Sequence, residues 1–512
     1  MTDYGRGLYR QLSEEIGKSE RLEGENRQLR VENAGLRRDV KYLEERLDTL
    51  GSNMDAKIEA AVKKAIKPLQ EEIVRKDGQI DRANEEIARL KASKGKDSGN
   101  SSKPPSSNGF KRIVSNREPS GRKSGGQHGH KGHTLRVPKE LEELVKAGKA
   151  KHVVKDETEG SQEYVSDWEI DLKIVPVYTE RRRVRGGPPR IRYGACIQSL
   201  SVYLQNVGLL SLTRLAEFFR VVTGGLITPS EAVLVQFSQA VASRINLESL
   251  VGDLLDGSVL HTDETPVRTT ERIGLGEESE KASRTTLSAY IRTYSNATTT
   301  LLTASAHKDN EGVKQDNILP RFFGIVSHDH DMKFYNYGTR HATCVAHLSR
   351  ELKGMNDLCM LPWAGCVREF FHTMNEHKRK DQARNKTACD PPILTQYEAR
   401  YDELVSEGAA LLNQMRKRML GYDELRKMVN RLKTYKDAYM LFMRDYVAPF
   451  TNNQAERDLR HCKTKQKVSG CYRSWQGLLD YCKIRSLIDT TRKRGGDVLT
   501  ALRACSFAPQ PC

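Results

Sequence analysis

The chain has 512 residues, with 84 Lys and Arg against 67 Asp and Glu, a formal charge of +17 and a pI near 9.3. That length exceeds one ordinary core, so three or four units are expected, and the basic excess calls for an anionic partner, nucleic acid or an anionic surface. The opening residues lack the apolar run of a signal peptide, Tyr193 to Leu210 is too interrupted for a membrane span, and ten cysteines without a paired framework point to a cytoplasmic protein with reduced thiols.

Leu22, Leu29, Leu36, Leu43 and Leu50 recur every seven residues, with charged residues between them. With these at d, the a positions are Asn26, Asn33, Val40 and Leu47, which predicts a left-handed coiled coil between copies within a helical region, residues 12–93. A helix packed on its own chain is the alternative. The stretch from Asp55 to about Ser93 is also helical, is interrupted by Pro68, and carries no comparably clean repeat.

Residues 94–135 turn to Ser, Gly, Pro, Lys and Arg. Such text cannot offset its conformational entropy by burial, so it predicts a flexible basic linker that meets DNA phosphates through Arg122, Lys123 and Lys131. His128, His130 and His133 have no cysteine or carboxylate pair nearby and suit phosphate contact better than a metal site. In residues 136–192, alternation from Asp171 to Glu180 followed by Arg181–Arg185 reads as a small β unit. Residues 193–250 return to helical spacing. Leu212 to Val222 is a helix, Gly224-Gly225 a break, and Thr228-Pro-Ser-Glu231 a capping box with Pro at the first helical position. This order suits a DNA-reading helix-turn-helix and an ordinary helical hairpin equally.

Residues 251–350 begin a mixed α/β part. Val259-Leu-His-Thr-Asp263 and Phe323-Gly-Ile-Val-Ser-His-Asp329 are apolar runs that each deliver a carboxylate. Between them, Thr286 to Tyr294 and Thr299 to Ala306 form a hairpin about Ser295-Asn296. Strand with Asp, hairpin, strand with Asp, helix is the order of an RNase-H-like α/β core, whose neighbouring strand ends share a metal pair. Asp331 would lie on the same side as Asp329 if the strand continued, and Asp329 is preferred because it ends the apolar run. Glu264 points away from Asp263 and reads as structural. Cys344 and His347, three apart, read as helix-borne residues packed beside the site rather than zinc ligands, and Cys359 and Cys366 follow.

Residues 351–446 read as a helical insertion, which separates the second Asp from the C-terminal part, residues 447–512, in sequence but not in space. There Asn452 or Asn453 caps a helix on which Glu456, Arg460, Lys463 and Lys467 share one face. A carboxylate and a row of cations suit a phosphodiester, the Glu holding metal and the cations flanking phosphates; a salt-bridged surface helix has the same spacing.

The blocks NNQAERDLRHCKTKQKVSGCYRS, HTDETPVR and HDHDMKFYNYGTRHATCVAHLSREL, with the linker GRKSGGQHGHKGHTL and the preceding coil, closely resemble the transposases of the insertion-sequence 66 family, in order over nearly the whole chain. The resemblance implies a DDE-type, RNase-H-like catalytic domain whose first Asp falls on Asp263, second on Asp329 and Glu on Glu456. It implies Mg²⁺ (or Mn²⁺) held by these three for two-metal phosphoryl transfer, cutting element ends and joining them to target DNA. The implied partners are DNA, further copies of the chain through the coil, and accessory proteins of the same element. Members carry a cysteine-based zinc module before the catalytic region; here residues 151–195 contain no cysteine and Cys196 stands alone, so no zinc is expected. The rival readings are a catalytically inactive DNA-binding derivative, and a nuclease on the same fold without strand transfer.

Overall fold

The computed structural model describes residues 3–49, 56–97, 100–101, 137–148, 150–155, 168, 170–172, 174–180, 191–274 and 285–506. They fall into two units, one of residues 1–114 and 238–512, the other of residues 115–237. No helix among the described residues is long and apolar enough to cross a membrane.

The first unit opens with two long helices, α1 (Asp3–Thr49) and α2 (Ala56–Gly95), with Pro68 inside the second. They lie antiparallel. Asn26 Nδ2 donates to Asn84 Oδ1 at 2.9 Å, Asn33 Nδ2 donates to Asp77 Oδ1 at 2.7 Å, and Lys91 pairs with Glu23 at 2.9 Å. Asn26, Asn33 and Val40 are buried, so the a-position seam read as a contact between copies is covered by α2 of the same chain. Heptads specify that a helix must be met, not whose helix it is. Leu22, Leu29, Leu36 and Leu43 at d remain only half-buried.

In the second unit the described residues of 137–192 contain the short helix α3 (Leu141–Lys146) and no strand. Val153, Val154, Leu172, Val175 and Val177 are exposed, so the alternation that suggested a β unit has no partner ladder among the described residues. Helices α4 (Ala195–Asn206) and α5 (Leu212–Val222) follow, and Gly224 and Gly225 make the expected break at φ +60° and +86°. Helix α6 (Glu231–Ala242), which runs across the boundary between the units, starts later than the capping box suggested. Ser230 rather than Thr228 caps it, its Oγ accepting from Val233 N–H, while Glu231 accepts instead from the Thr213 hydroxyl at 2.6 Å.

Back in the first unit, α7 (Leu247–Leu255) leads into a five-stranded sheet. Its centre is β1 (Val259–Gly274), antiparallel to β2 (Thr285–Ser295), which is antiparallel to β3 (Thr300–Ser305). On its other side β1 runs parallel to β4 (Ile325–His328), and β4 parallel to β5 (Arg340–Thr343), giving the order β3-β2-β1-β4-β5. Asn296 makes the β2–β3 turn, its Oδ1 accepting from the amides of Thr298 and Thr299. All four residues of β4 are buried, which suits a strand covered on both faces. The crossover from β3 to β4 includes α8 (Asn310–Asp316).

Helix α9 (Val345–Cys359) opens the expected insertion, continued by α10 (Pro362–Gln382), α11 (Pro391–Gln414), α12 (Tyr422–Thr434) and α13 (Lys436–Arg444). Its core of Leu352, Trp363, Phe371, Tyr401, Leu432 and Tyr439 is continuous with Ile325 and Ala342 of the sheet. The insertion therefore folds onto β4 and β5 rather than beside them. The chain then returns as α14 (Asn453–Ser469), α15 (Trp475–Lys493) and α16 (Val498–Cys505). Leu459 and Cys462 of α14 bury against Val267, Ala289 and Ile291, each apolar side chain of that size contributing about 1.5–3 kcal/mol. Ser486 and Thr490 of α15 accept the amides of Leu302 and Thr300, satisfying donors on β3, the edge strand.

Candidate catalytic site

His261 of β1 lies opposite Ser327 of β4 in parallel register. Two residues onward come Asp263, still within β1, and Asp329, immediately after the end of β4, near enough for the Asp329 charge to act on Asp263. Burial, and next the charge of Asp329, push the Asp263 carboxyl up to about 7. The Glu264 amide, donating to Asp263 Oδ1 at 2.7 Å, and the Lys463 ammonium oppose that rise, while Glu456 adds to it. Asp263 thus feels the charge of both Asp329 and Glu456.

The competing carboxylate, Asp331, is placed differently. Strand β4 ends at His328, and His330 takes φ +76°, a left-handed conformation uncommon for residues other than glycine. Its ring shares a hydrogen bond of 2.9 Å with the Tyr335 hydroxyl, itself 2.8 Å from Thr343 Oγ1. The strand alternation that would have put Asp331 beside Asp329 therefore stops. Asp331 instead caps the 3-10 turn Met332–Asn336, accepting from the Lys333 amide at 3.2 Å and its ammonium at 3.0 Å.

Glu264 is structural in this arrangement, as its strand parity implied. It pairs with Arg292 at 2.7 Å and Lys333 at 3.2 Å, and Arg292, wholly buried, pairs with Asp316 at 2.9 Å. Burial still holds the Glu264 carboxyl above its ordinary range, the two cations opposing the rise.

Glu456 sits in the first turn of α14, partly buried. Its Oε1 lies 3.6 Å from His347 Nδ1 and 3.6 Å from the Arg350 guanidinium, both on α9, and has no hydrogen-bond partner. Burial, then the Arg350 charge, keep the His347 imidazole below its ordinary range. Asn452 is the N-cap residue but does not cap with its side chain. Its Nδ2 donates to the Thr262 carbonyl at 2.8 Å, its Oδ1 meets His261 Nδ1 at 3.0 Å and accepts from Ser327 Oγ at 3.4 Å, and its amide donates to Cys344 Sγ at 3.2 Å. One wholly buried side chain thus ties β1, β4 and α14 together, while the backbone N–H of the same residue reaches Cys344 at the start of α9. The sequence marked Asn452 only as a cap; its pairing with residues some 190 positions away left no local signal. Arg350, one turn beyond His347, was also missed.

Arg460, Lys463 and Lys467 are exposed along α14, on the stripe adjoining its buried Ala455, Leu459 and Cys462. Lys463 is close enough to Asp263 to lower its pKa. The linker residues Arg122, Lys123 and Lys131, with His128, His130 and His133, lie outside the described residues.

The residues present fit an oxygen-seeking divalent cation such as Mg²⁺. Asp263, its carboxyl raised by burial and then by the charge of Asp329, and Glu456 Oε1, buried without a hydrogen-bond donor though 3.6 Å from the Arg350 guanidinium, are oxygen ligands of the kind such an ion takes. Among the described residues, however, the one trio whose ligand atoms all lie within 4.8 Å of one another is Cys344, His347 and Glu456, not the three carboxylates. Like charges hold carboxylates apart, and Glu456 leans toward its neighbours on α9.

A family model described as Transposase IS66 family matches residues 190–479. A second, described as a family of unknown function (DUF6444), matches residues 13–136, the helical hairpin and the linker. No curated protein matches the chain.

Proposed function

The chain belongs to the IS66 family of transposases, and on that premise we propose that it cuts the ends of a mobile DNA element and joins them to target DNA by metal-dependent phosphoryl transfer at Asp263, Asp329 and Glu456. The observation that carries this reading is that β1 and the end of its parallel neighbour β4 bring Asp329 close enough to Asp263 to raise its carboxyl, with Glu456 of the distant helix α14 adding to that rise. The sheet order, three antiparallel strands followed by two parallel ones, supports an RNase-H-like core. These carboxylates would hold Mg²⁺, which supplies Lewis-acid activation of the attacking oxygen and stabilisation of the leaving one. Arg460, Lys463 and Lys467 hold the flanking phosphates in an exposed row leading away from the carboxylates. Asn452 keeps the two Asp-bearing strands in register with the Glu-bearing helix. Synapsis of two ends requires more than one copy, and the half-buried leucines of α1 offer an apolar stripe for that association.

The test is a strand-transfer assay with duplexes carrying the element ends and Mg²⁺, using wild type and Glu456→Gln. Joined products with wild type and none with the variant support the reading. Cut but unjoined ends identify a nuclease, and end binding without cutting identifies an inactive DNA-binding derivative.

A further inference from the structure

The first turn of α9 carries side chains that phosphoryl transfer by three carboxylates does not use. Cys344 is the N-cap residue, buried to 1% exposure, and His347 stands three residues on, so the two lie on one side of the turn. Their ligand atoms and one Glu456 oxygen all lie within 4.8 Å of one another. Two of the three, His347 Nδ1 and Glu456 Oε1, are buried without a hydrogen-bond partner. Such atoms cost free energy unless something satisfies them. They stand 3.6 Å apart, too far for a hydrogen bond. That spacing is close to the roughly 3.4 Å that separates nitrogen and oxygen donors on a tetrahedral zinc ion bound at about 2.0–2.2 Å. The third donor, Cys344 Sγ, accepts from the Asn452 backbone N–H at 3.2 Å; burial pushes its thiol up to about 11, that hydrogen bond opposing the rise, so a cation has to displace the thiol proton.

The donor chemistry selects the ion. Magnesium takes oxygen ligands, whereas thiolate, imidazole and carboxylate together suit zinc and its softer relatives. A thiolate and a carboxylate offset the two charges of the ion, which would compete with the Arg350 guanidinium, 3.6 Å away, for Glu456 Oε1. We propose that Cys344, His347 and Glu456 form a binding site for a thiophilic divalent cation of the zinc class, which withdraws Glu456 from the three carboxylates and holds the enzyme inactive. Three protein donors leave a fourth position for water, and binding releases the thiol proton of Cys344 to solvent. The cation site stands on its own geometry; the inactivation rests on the reading of Glu456 as a catalytic ligand.

The test uses the full-length protein and Zn²⁺, with affinity measured by competition against a chromophoric chelator in Mg²⁺-free buffer. One tight equivalent is expected. Cys344→Ser and His347→Gln should each weaken it about tenfold or more, while Cys366→Ser, which alters an exposed cysteine away from the cluster, should leave it unchanged. Cd²⁺ in place of Zn²⁺ should give thiolate charge-transfer absorption that Cys344→Ser removes. His347→Gln decides the matter if the serine variant fails to fold. Equal affinity in wild type and His347→Gln overturns the site. In a second arm, one equivalent of Zn²⁺ should suppress Mg²⁺-supported cleavage by wild type, and tight binding with undiminished cleavage overturns the withdrawal of Glu456. If wild type shows no cleavage with Mg²⁺ alone, the failure belongs to the catalytic reading, and the affinities still decide the cation site.

Discussion

Asn452 Nδ2 donates to the Thr262 carbonyl at 2.8 Å, so the residue four positions before Glu456 is fastened to the residue immediately before Asp263. The same side chain reaches His261 and Ser327, and Ser327 precedes Asp329 by two positions. Three carboxylates spread over 193 positions of sequence (456 − 263) are thus referenced to one amide.

Asn452→Ala is expected to cost about 1–3 kcal/mol of stability, because it leaves the buried Thr262 carbonyl and Ser327 hydroxyl short of partners. Its effect on cleavage should exceed what stability explains. At a temperature where the variant is fully folded by circular dichroism, the Mg²⁺ concentration needed for half-maximal cleavage should rise, because the ligands no longer hold their relative positions. An unchanged Mg²⁺ dependence in a folded variant would reduce Asn452 to a packing residue.

Asp263→Asn, Asp329→Asn and Glu456→Gln should each lower cutting and joining by several orders of magnitude, while end binding and the fold survive, since each amide is near-isosteric with its acid. Asp331→Asn is the discriminating variant. Its carboxylate caps a 3-10 turn, which Asn does about as well, and pairs with Lys333, so the variant should lose about 1 kcal/mol of stability or less and keep most activity. Activity in Asp329→Asn together with none in Asp331→Asn would exchange their roles.

The parts of the proposed site that are legible in the sequence depend on local text. An apolar run ending in Asp, and a Glu on a helix with cations at helical spacing, are statements about neighbours in the chain. The insertion was visible for the same reason. What the sequence concealed is long-range. The heptads of α1 announce a partner helix, yet α2, which supplies it in cis, carries no matching repeat and contains Pro68. Asp331 is turned out of strand alternation with Asp329 by the left-handed residue His330, which no strand periodicity announces. The apolar alternation after Asp171 reads as a strand, but a strand exists only where a second one pairs with it, and the described residues there have none.

The exposed row Arg460, Lys463 and Lys467 makes a prediction about salt. Neutralising each in turn with Gln should weaken binding to nonspecific duplex DNA. Each phosphate that then keeps its counterion should reduce the magnitude of the log Kd against log [salt] slope by about 1. Deleting residues 94–135 should flatten it further if Arg122, Lys123 and Lys131 bind phosphates. A slope indifferent to the α14 substitutions would place the DNA backbone on another surface.

Asp263 predicts how stability, pH and metal are linked. Its carboxyl is raised from the ordinary 3.8 to about 7, first by burial and then by the charge of Asp329. A carboxyl raised by folding binds its proton more tightly in the native state, so its stabilising contribution is complete below about pH 4 and is lost as pH rises through 7. Above that pH the metal-free protein carries an ionised Asp263 that the fold disfavours. Metal-free Asp263→Asn should therefore melt above wild type at pH 8, by about 2–4 °C for each kcal/mol relieved, and the difference should shrink toward pH 5. Mg²⁺ reverses the ranking, because it binds the ionised carboxylate and competes with the proton. The rise in wild-type melting temperature on adding Mg²⁺ should be larger at pH 8 than at pH 5.5, and small at both in Asp263→Asn. Comparing the two proteins at each pH cancels the other titrating groups they share. A wild-type response to Mg²⁺ that is the same at both pH values, or is retained in full by Asp263→Asn, would show that the ion binds without this carboxylate.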